Sequence, residues 1–137
     1  MQKKLLCLYL INFVLKRHKP HFLNLVKNKL DIIFANEQEI LSLIEAKNFD
    51  EAVSFSKELK KNIVITRGSK GAVSINNGHV EEVQATSNLK IRDLTGAGDL
   101  FAAGYLHGVI NNFKTKECLK KGTELSSKVI QIIGARV

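Results

Sequence analysis

"IRDLTGAGDLF", residues 91–101, sets a run of small residues between two carboxylates, Asp93 and Asp99, and then opens directly into an apolar segment. Glycines belong where the backbone must bend unusually or come close to something. A helix beginning near Gly96 leaves the N–H groups of Gly96, Ala97, Gly98 and Asp99 without intrahelical acceptors. With no bulky side chain over them, these amides and the positive end of the helix dipole make a cradle for a phosphate or a developing oxyanion. Asp99, in the same turn, can accept the proton of a hydroxyl held against that cradle. A plainer account also fits: an acid in the first turn stabilises a helix, and small residues let another element pack against it.

The helix over 98–110 ("GDLFAAGYLHGVI") is apolar on most faces and small at Ala102, Ala103, Gly104 and Gly108, which predicts burial and a close neighbour. A last helix is expected from about Thr115 to Ile133, ending at Gly134. Upstream, "DIIFA" (31–35) and "NIVITRG" (62–68) read as strands, and "NEQEILSLIEA" (36–46) reads as a helix with Ile40, Leu41 and Ile44 on one side. Asp50 is placed to cap a further helix, and "GAVSI" and "HVEEV" flank Asn77-Gly78, a pair suited to a tight hairpin. Pro20, the one proline, is expected near a helix start, followed by Phe22, Leu23, Val26 and Leu30 at helical spacing. Strands alternating with helices, plus one hairpin, predict an α/β layered fold with a mainly parallel sheet. Ligands of open sheets bind beyond the carboxyl ends of the strands, and Asn36, Thr66 to Gly68 and Gly96 to Asp99 all fall at such junctions.

The 137 residues, 45% hydrophobic and 25% charged, fit one soluble domain, 1–137. The net charge of +8 comes in short groups such as Lys16-Arg17-His18-Lys19, without interleaved aromatics and with no Trp in the chain, so nucleic acid is not the expected partner. The apolar run "LLCLYLINFVL" after "MQKK" is too short to span a bilayer and lacks a small-residue cleavage site; it reads as a buried strand. Cys7 and Cys118 read as reduced thiols of a cytoplasmic chain, and no membrane partner is expected.

The stretch "DLTGAGDLFAAGYLHG" resembles the signature near the C-terminus of the ribokinase family, the PfkB-type carbohydrate and nucleoside kinases, commonly D-T-x-G-A-G-D-x-F. "NEQE" is similar to that family's N-x-x-E element at Asn36 and Glu39, and "TRGSKGA" to its T-x-G-x-x-G turn at Thr66, Gly68 and Gly71, in the family's order. The closing "VIQIIGAR" resembles adenosine-kinase-like members. The resemblance implies the C-terminal portion of a three-layer α/β/α fold and ATP-dependent phosphoryl transfer to a hydroxyl of a nucleoside or a sugar. It implies Asp99 as catalytic base and the amides of Gly96, Ala97 and Gly98 as the anion hole. Thr66, Gly68 and Gly71 would line the ATP site, and Asn36 and Glu39 would organise Mg²⁺ through water. Asp93 and Thr95, with the region around Gly134, match positions that hold a monovalent cation, K⁺, in many members.

Each motif also has a structural account. Asn36-x-x-Glu39 is a sound helix capping box, and Gly68 and Gly71 can simply turn a strand into the hairpin. Leu94 departs from the small polar residue usual at its position, and "LINFVLKRHKPHF" lacks the acidic start of the adenosine-kinase-like segment it resembles. Members of the family are longer, and the portion without a counterpart here supplies the acceptor-binding segment and lid. A homodimer or a separate N-terminal half is therefore an expected partner. A non-catalytic nucleotide-binding remnant and a basic interaction protein are the alternative readings.

Overall fold

Two runs rich in β-branched residues set the sheet. β2 (Ile32–Asn36) and β3 (Asn62–Thr66) pair in parallel with Ile33 opposite Ile63 and Phe34 opposite Val64. Ile33, Ile63, Val64 and Ile65 are wholly buried. Such unbroken apolar runs, without alternation, belong to parallel strands covered on both faces. The computed structural model describes residues 7–9 and 12–134. Within them, β1 (Cys7–Tyr9) pairs in parallel with β2, and the strand order is β1-β2-β3-β4-β5, with β4 at Ala72–Asn76 and β5 at His79–Val83. The turn between β4 and β5 has Asn77 at φ 53° and Gly78 at φ 83°, the paired positive angles that a two-residue hairpin loop requires.

The chain forms two compact units, Met1–Thr66 with Ser74–Val80, and Arg67–Val73 with Glu81–Val137. In the first, α1 (Asn12–Asn28), α2 (Glu37–Ile44) and α3 (Phe49–Glu58) accompany the parallel strands. The expected N-terminal strand is confined to β1 among the described residues, because the chain is helical from Asn12, well before Pro20. Leu5, Leu6, Leu10 and Ile11 of that apolar run lie outside the described residues. α1 is kinked at His18 (φ −132°, ψ 29°), two positions before Pro20, whose missing N–H and ring both oppose an uninterrupted helix. The proline thus opens the second segment of α1, which buries Val26, and Leu30 is buried just beyond the helix end. α3 is capped by Asn48, whose side chain accepts from the Glu51 N–H, and not by Asp50, which lies in the first turn.

In the second unit, α4 (Ala97–Ile110) packs on α5 (Thr115–Val129) through Phe101, Gly104 and Gly108, and Tyr105 of α4 is also buried. This is the close approach that the small residues predict. A Cβ on Gly104 would lie 2.7 Å from the Lys121 carbonyl oxygen, and one on Gly122 would lie 2.8 Å from that of Phe101. Ala103 is exposed and takes no part in the seam. α5 stops at Val129 and not at Ile133: the N–H groups of Arg92 and Asp93 donate to the Ile130 carbonyl at 2.8 and 3.2 Å, and a turn follows. Residues 135–137, the end of the closing segment, lie outside the described residues.

Candidate active site

In the first unit, the register places Asn36 opposite Thr66, so the N-x-x-E and T-x-G-x-x-G motifs begin side by side at the carboxyl ends of adjacent parallel strands. Asn36 and Glu39 form a full capping box. The Glu39 N–H donates to Asn36 Oδ1, and the Asn36 N–H donates to Glu39 Oε2, each at 2.8 Å. The structural account of this motif is therefore realised, and the box leaves Glu39 Oε1 outside the pair. Glu39 is 6% exposed, and burial pushes its carboxyl above the ordinary value against the opposing pull of the Asn36 amide. Mg²⁺ is held by one or two carboxylates with waters and substrate phosphates, not by an all-protein cage. One buried carboxylate in the first turn of α2, just past the end of β2, fits that mode. Among the described residues no group of three or more His, Cys, Asp or Glu could hold a metal by itself.

The capping box yields a prediction. A carboxyl whose folded pKa is raised favours the protonated form in the folded state. Its contribution to stability is therefore lost as pH rises from the ordinary 4.5 through the folded value. Glu39→Gln keeps an oxygen for the Asn36 N–H and carries no charge, so its urea-denaturation stability at pH 8 should equal or exceed that of the wild type. Glu39→Ala loses the acceptor and should cost about 1 kcal/mol. A Gln variant weaker than the Ala variant would contradict this account.

In the second unit, the Arg67 N–H donates to the Gly71 carbonyl at 2.8 Å around a 3-10 turn, Gly68–Lys70. The two motif glycines serve different ends. A Cβ on Gly71 would sit 2.0 Å from the Val83 carbonyl oxygen, whereas over Gly68 there is open space. Gly71 is fixed by packing; Gly68 leaves its turn open to approach.

α4 begins at Ala97 with Gly96 as its N-cap, one residue before the 98–110 span read from the sequence. Gly96, at φ 81° and ψ 0°, occupies the third position of a turn in which the Ala97 N–H donates to the Leu94 carbonyl at 3.3 Å. These angles are the type II values that call for glycine. Ala97 therefore spends its amide locally, which corrects the expected set of four free N–H groups. Gly98 and Asp99, the second and third helical residues, keep N–H groups without intrahelical acceptors. Asp99 is exposed in that same first turn, so a carboxylate and free amides share one helix end.

Asp93 accepts through both carboxylate oxygens. Its Oδ1 accepts from the Thr95 N–H at 2.9 Å and its Oδ2 from the Gly134 N–H at 3.0 Å. Hydrogen bonds from Thr95, then from Gly134, hold its carboxyl below the usual carboxylate range. The motifs did not foretell a cavity of about 390 Å³ between the segment after β5 and α5, lined by Val83, Gln84, Thr86, Thr123, Glu124 and Ser127. A hydrogen bond of 3.0 Å from Ser127 Oγ to Thr86 Oγ1 links its two walls. The Val83 carbonyl that crowds Gly71 brings the glycine turn to its edge. Scattered polar residues on an amphipathic helix gave no signal for it. The Lys128 ammonium beside Glu124 holds that carboxyl below its ordinary value.

This architecture is that of the ribokinase-like α/β kinases. A probable sugar kinase from Rhizobium etli superposes with a TM-score of 0.92 at 36% identity, over 97% of this chain and 41% of that one. An adenosine kinase from Sinorhizobium meliloti gives 0.91 at 34% identity, over 96% and 41%. A cytidine kinase from Thermococcus kodakarensis is 33% identical over 109 residues, 77% of this chain and 39% of that protein. The match to the pfkB family carbohydrate kinases runs over residues 3–137, and the chain belongs to that family. It spans about two fifths of the length of these relatives.

Proposed function

We propose that the chain carries the nucleotide and phosphoryl-transfer residues of a kinase that moves the γ-phosphate of ATP to a hydroxyl of a nucleoside or a sugar. The observation that carries this reading is the end of α4, where exposed Asp99 shares a turn with the amides of Gly96 and Gly98. The acceptor oxygen bonds to the γ-phosphorus as the bond from that phosphorus to the β–γ bridging oxygen breaks. ADP leaves, and Asp99 takes the hydroxyl proton. The Gly96 and Gly98 amides meet the charge on the transferring group; Ala97 joins them only by giving up its bond to Leu94. Positioning and charge stabilisation supply most of the rate in such chemistry.

Glu39 and Asn36 would hold Mg²⁺ through its waters, and Thr66, paired with Asn36 in the sheet, would line the ATP site. When bound, the ion neutralises charge on the phosphates. Gly68 gives the phosphate chain room, and the cavity beside α5 suits the nucleoside end of ATP. Cytidine, adenosine and sugar kinases among the relatives support a nucleoside or a sugar as acceptor. Exposed Ile91, Leu94, Ile132 and Ile133 support a second copy or a separate polypeptide that completes acceptor binding. No helix among the described residues is long and apolar enough to cross a membrane. Buried, unpaired Cys118 supports a reducing compartment such as the cytoplasm.

Calorimetric titration with ATP·Mg and an assay of ATP-dependent product from adenosine, cytidine and ribose test this reading. Binding of ATP·Mg together with one phosphorylated acceptor is the expected result. A folded chain that neither binds ATP·Mg nor forms product would overturn it.

A further inference from the structure

The cavity beside α5 is lined by Thr123 and Ser127, one turn apart on the helix, and by Gln131, one turn further on and just past the helix end. Bonds inside the protein fix what these side chains have left to offer a ligand. The Thr123 hydroxyl bonds the Leu119 carbonyl at 2.9 Å, and Gln131 Nε2 bonds the Ser127 carbonyl at 3.0 Å. A carbonyl oxygen can only accept, so in both pairs the side chain is the donor. Thr123 has then spent its one hydrogen, and Oε1 is the end of the Gln131 carboxamide left for a ligand; among the described residues it makes no hydrogen bond. Ser127 and Thr86 bond each other, which leaves one hydroxyl hydrogen between them. Glu124 adds a carboxylate, bonded to Lys128 at 3.1 Å. The α5 wall is therefore rich in acceptors. Free donors lie elsewhere, on the Gln84 carboxamide of the opposite wall and on the Lys120 ammonium, about two helical turns before Ser127. Val83 and Leu89 supply aliphatic contact for a flat ring.

We propose that Gln131 selects the base of the bound nucleotide: its Oε1 accepts from an exocyclic amino group, so the site favours a 6-aminopurine over a purine with oxygen or hydrogen at that carbon. The proposal deepens, and rests on, the reading of this cavity as the seat of the nucleoside end of ATP. A 6-oxo group would set one acceptor against another with no hydrogen between them. A bare C–H would take Oε1 out of water and give it no partner, and a site built to bond a donor rejects analogues that lack it. The carboxamide cannot turn round to offer a donor without breaking its bond to the Ser127 carbonyl. That anchoring turns an ambivalent side chain into a selective one.

Calorimetric titration of the full chain compares the Mg²⁺ complexes of ATP, inosine triphosphate and purine riboside triphosphate, which share sugar and phosphates and differ at carbon 6 of the base. The wild type should bind ATP ~5–10-fold more tightly than purine riboside triphosphate, and more tightly still than inosine triphosphate. Gln131→Leu removes both polar ends and should bind the three within about 2-fold of one another. Gln131→Glu keeps an acceptor at the same length and should keep the order. Both variants lose the Nε2 bond to the Ser127 carbonyl, so a merely structural role would move them together, and thermal unfolding shows that each is folded. Equal affinity of the wild type for the three nucleotides, a preference that survives Gln131→Leu, or one that both variants lose alike overturns the proposal and leaves the proposed function in place. A folded chain that binds none of the three overturns the proposed function and this inference with it.

Discussion

Gly71→Ala should destabilise the protein by about 3–5 kcal/mol, a large part of the 5–15 kcal/mol by which a domain of this size is typically stable. Two independent costs meet at this position. At φ 92° and ψ −143° the backbone lies where only glycine is comfortable. The added methyl would also stand 2.0 Å from the Val83 carbonyl oxygen and 3.0 Å from the Ala85 nitrogen. Both neighbours are backbone atoms, so relief requires the chain after β5 to move as a unit and cannot come from a side-chain rotation. Gly68→Ala is the control. It shares a positive φ, 57°, but has nothing within 4 Å of the new methyl, so it should cost only the left-handed penalty of about 1–2 kcal/mol. Urea denaturation of the two variants side by side decides the matter, and equal losses would show that the Val83 contact is not a constraint. Because Val83 also lines the cavity beside α5, Gly71→Ala should weaken any ligand held there even in the fraction that folds.

The contrast between these glycines shows what the sequence could and could not reveal. T-x-G-x-x-G marks both as special, but which one bears a close neighbour depends on where β5 and the segment after it run, and that is tertiary information. Features encoded locally were legible. The apolar runs of β2 and β3, the Asn77-Gly78 turn and the Asn36/Glu39 capping box each follow from residues adjacent in sequence. Features set by distant partners were not. Apolar "VIQII" reads as more helix after Val129, yet the Ile130 carbonyl is claimed by amides from Arg92 and Asp93, and the chain turns there. Asp50 and Asn48 are both competent caps; the choice falls on Asn48 because the helix starts at Phe49, with the Lys47 N–H donating to Glu51 as well. At the candidate site, the glycines and Asp99 were visible as a motif. The diversion of the Ala97 amide to Leu94 was not, since it follows from the exact angles of Gly96. The cavity beside α5 had no signature at all, because Thr86, Thr123 and Ser127 are ordinary polar residues until the fold brings them together.

Asp99→Asn should lower ATP-dependent product formation by about 10²–10⁴-fold, the usual worth of a positioned general base, while leaving the fold intact. The structure separates this effect from the residue's other possible service. As the third residue of α4, Asp99 also gives the helix start a favourable negative charge, worth about 0.3–1 kcal/mol at an exposed position. If that were its whole role, the variant would lose a little stability and no turnover beyond its unfolded fraction. As the proton acceptor, it should show the reverse pattern: a small change in Tm and a large fall in kcat. Binding offers a third reading. An ionised carboxylate near a triphosphate repels it, by ~1 kcal/mol at 4 Å in a water-like dielectric, so Asp99→Asn should bind ATP·Mg as tightly as the wild type or more tightly. Loss of ATP·Mg affinity in step with activity would place Asp99 in nucleotide binding and not in the transfer step. Unimpaired turnover would return the carboxylate to its role as a helix-stabilising charge, and the amides of Gly96 and Gly98 would then need another partner to take up the acceptor's proton.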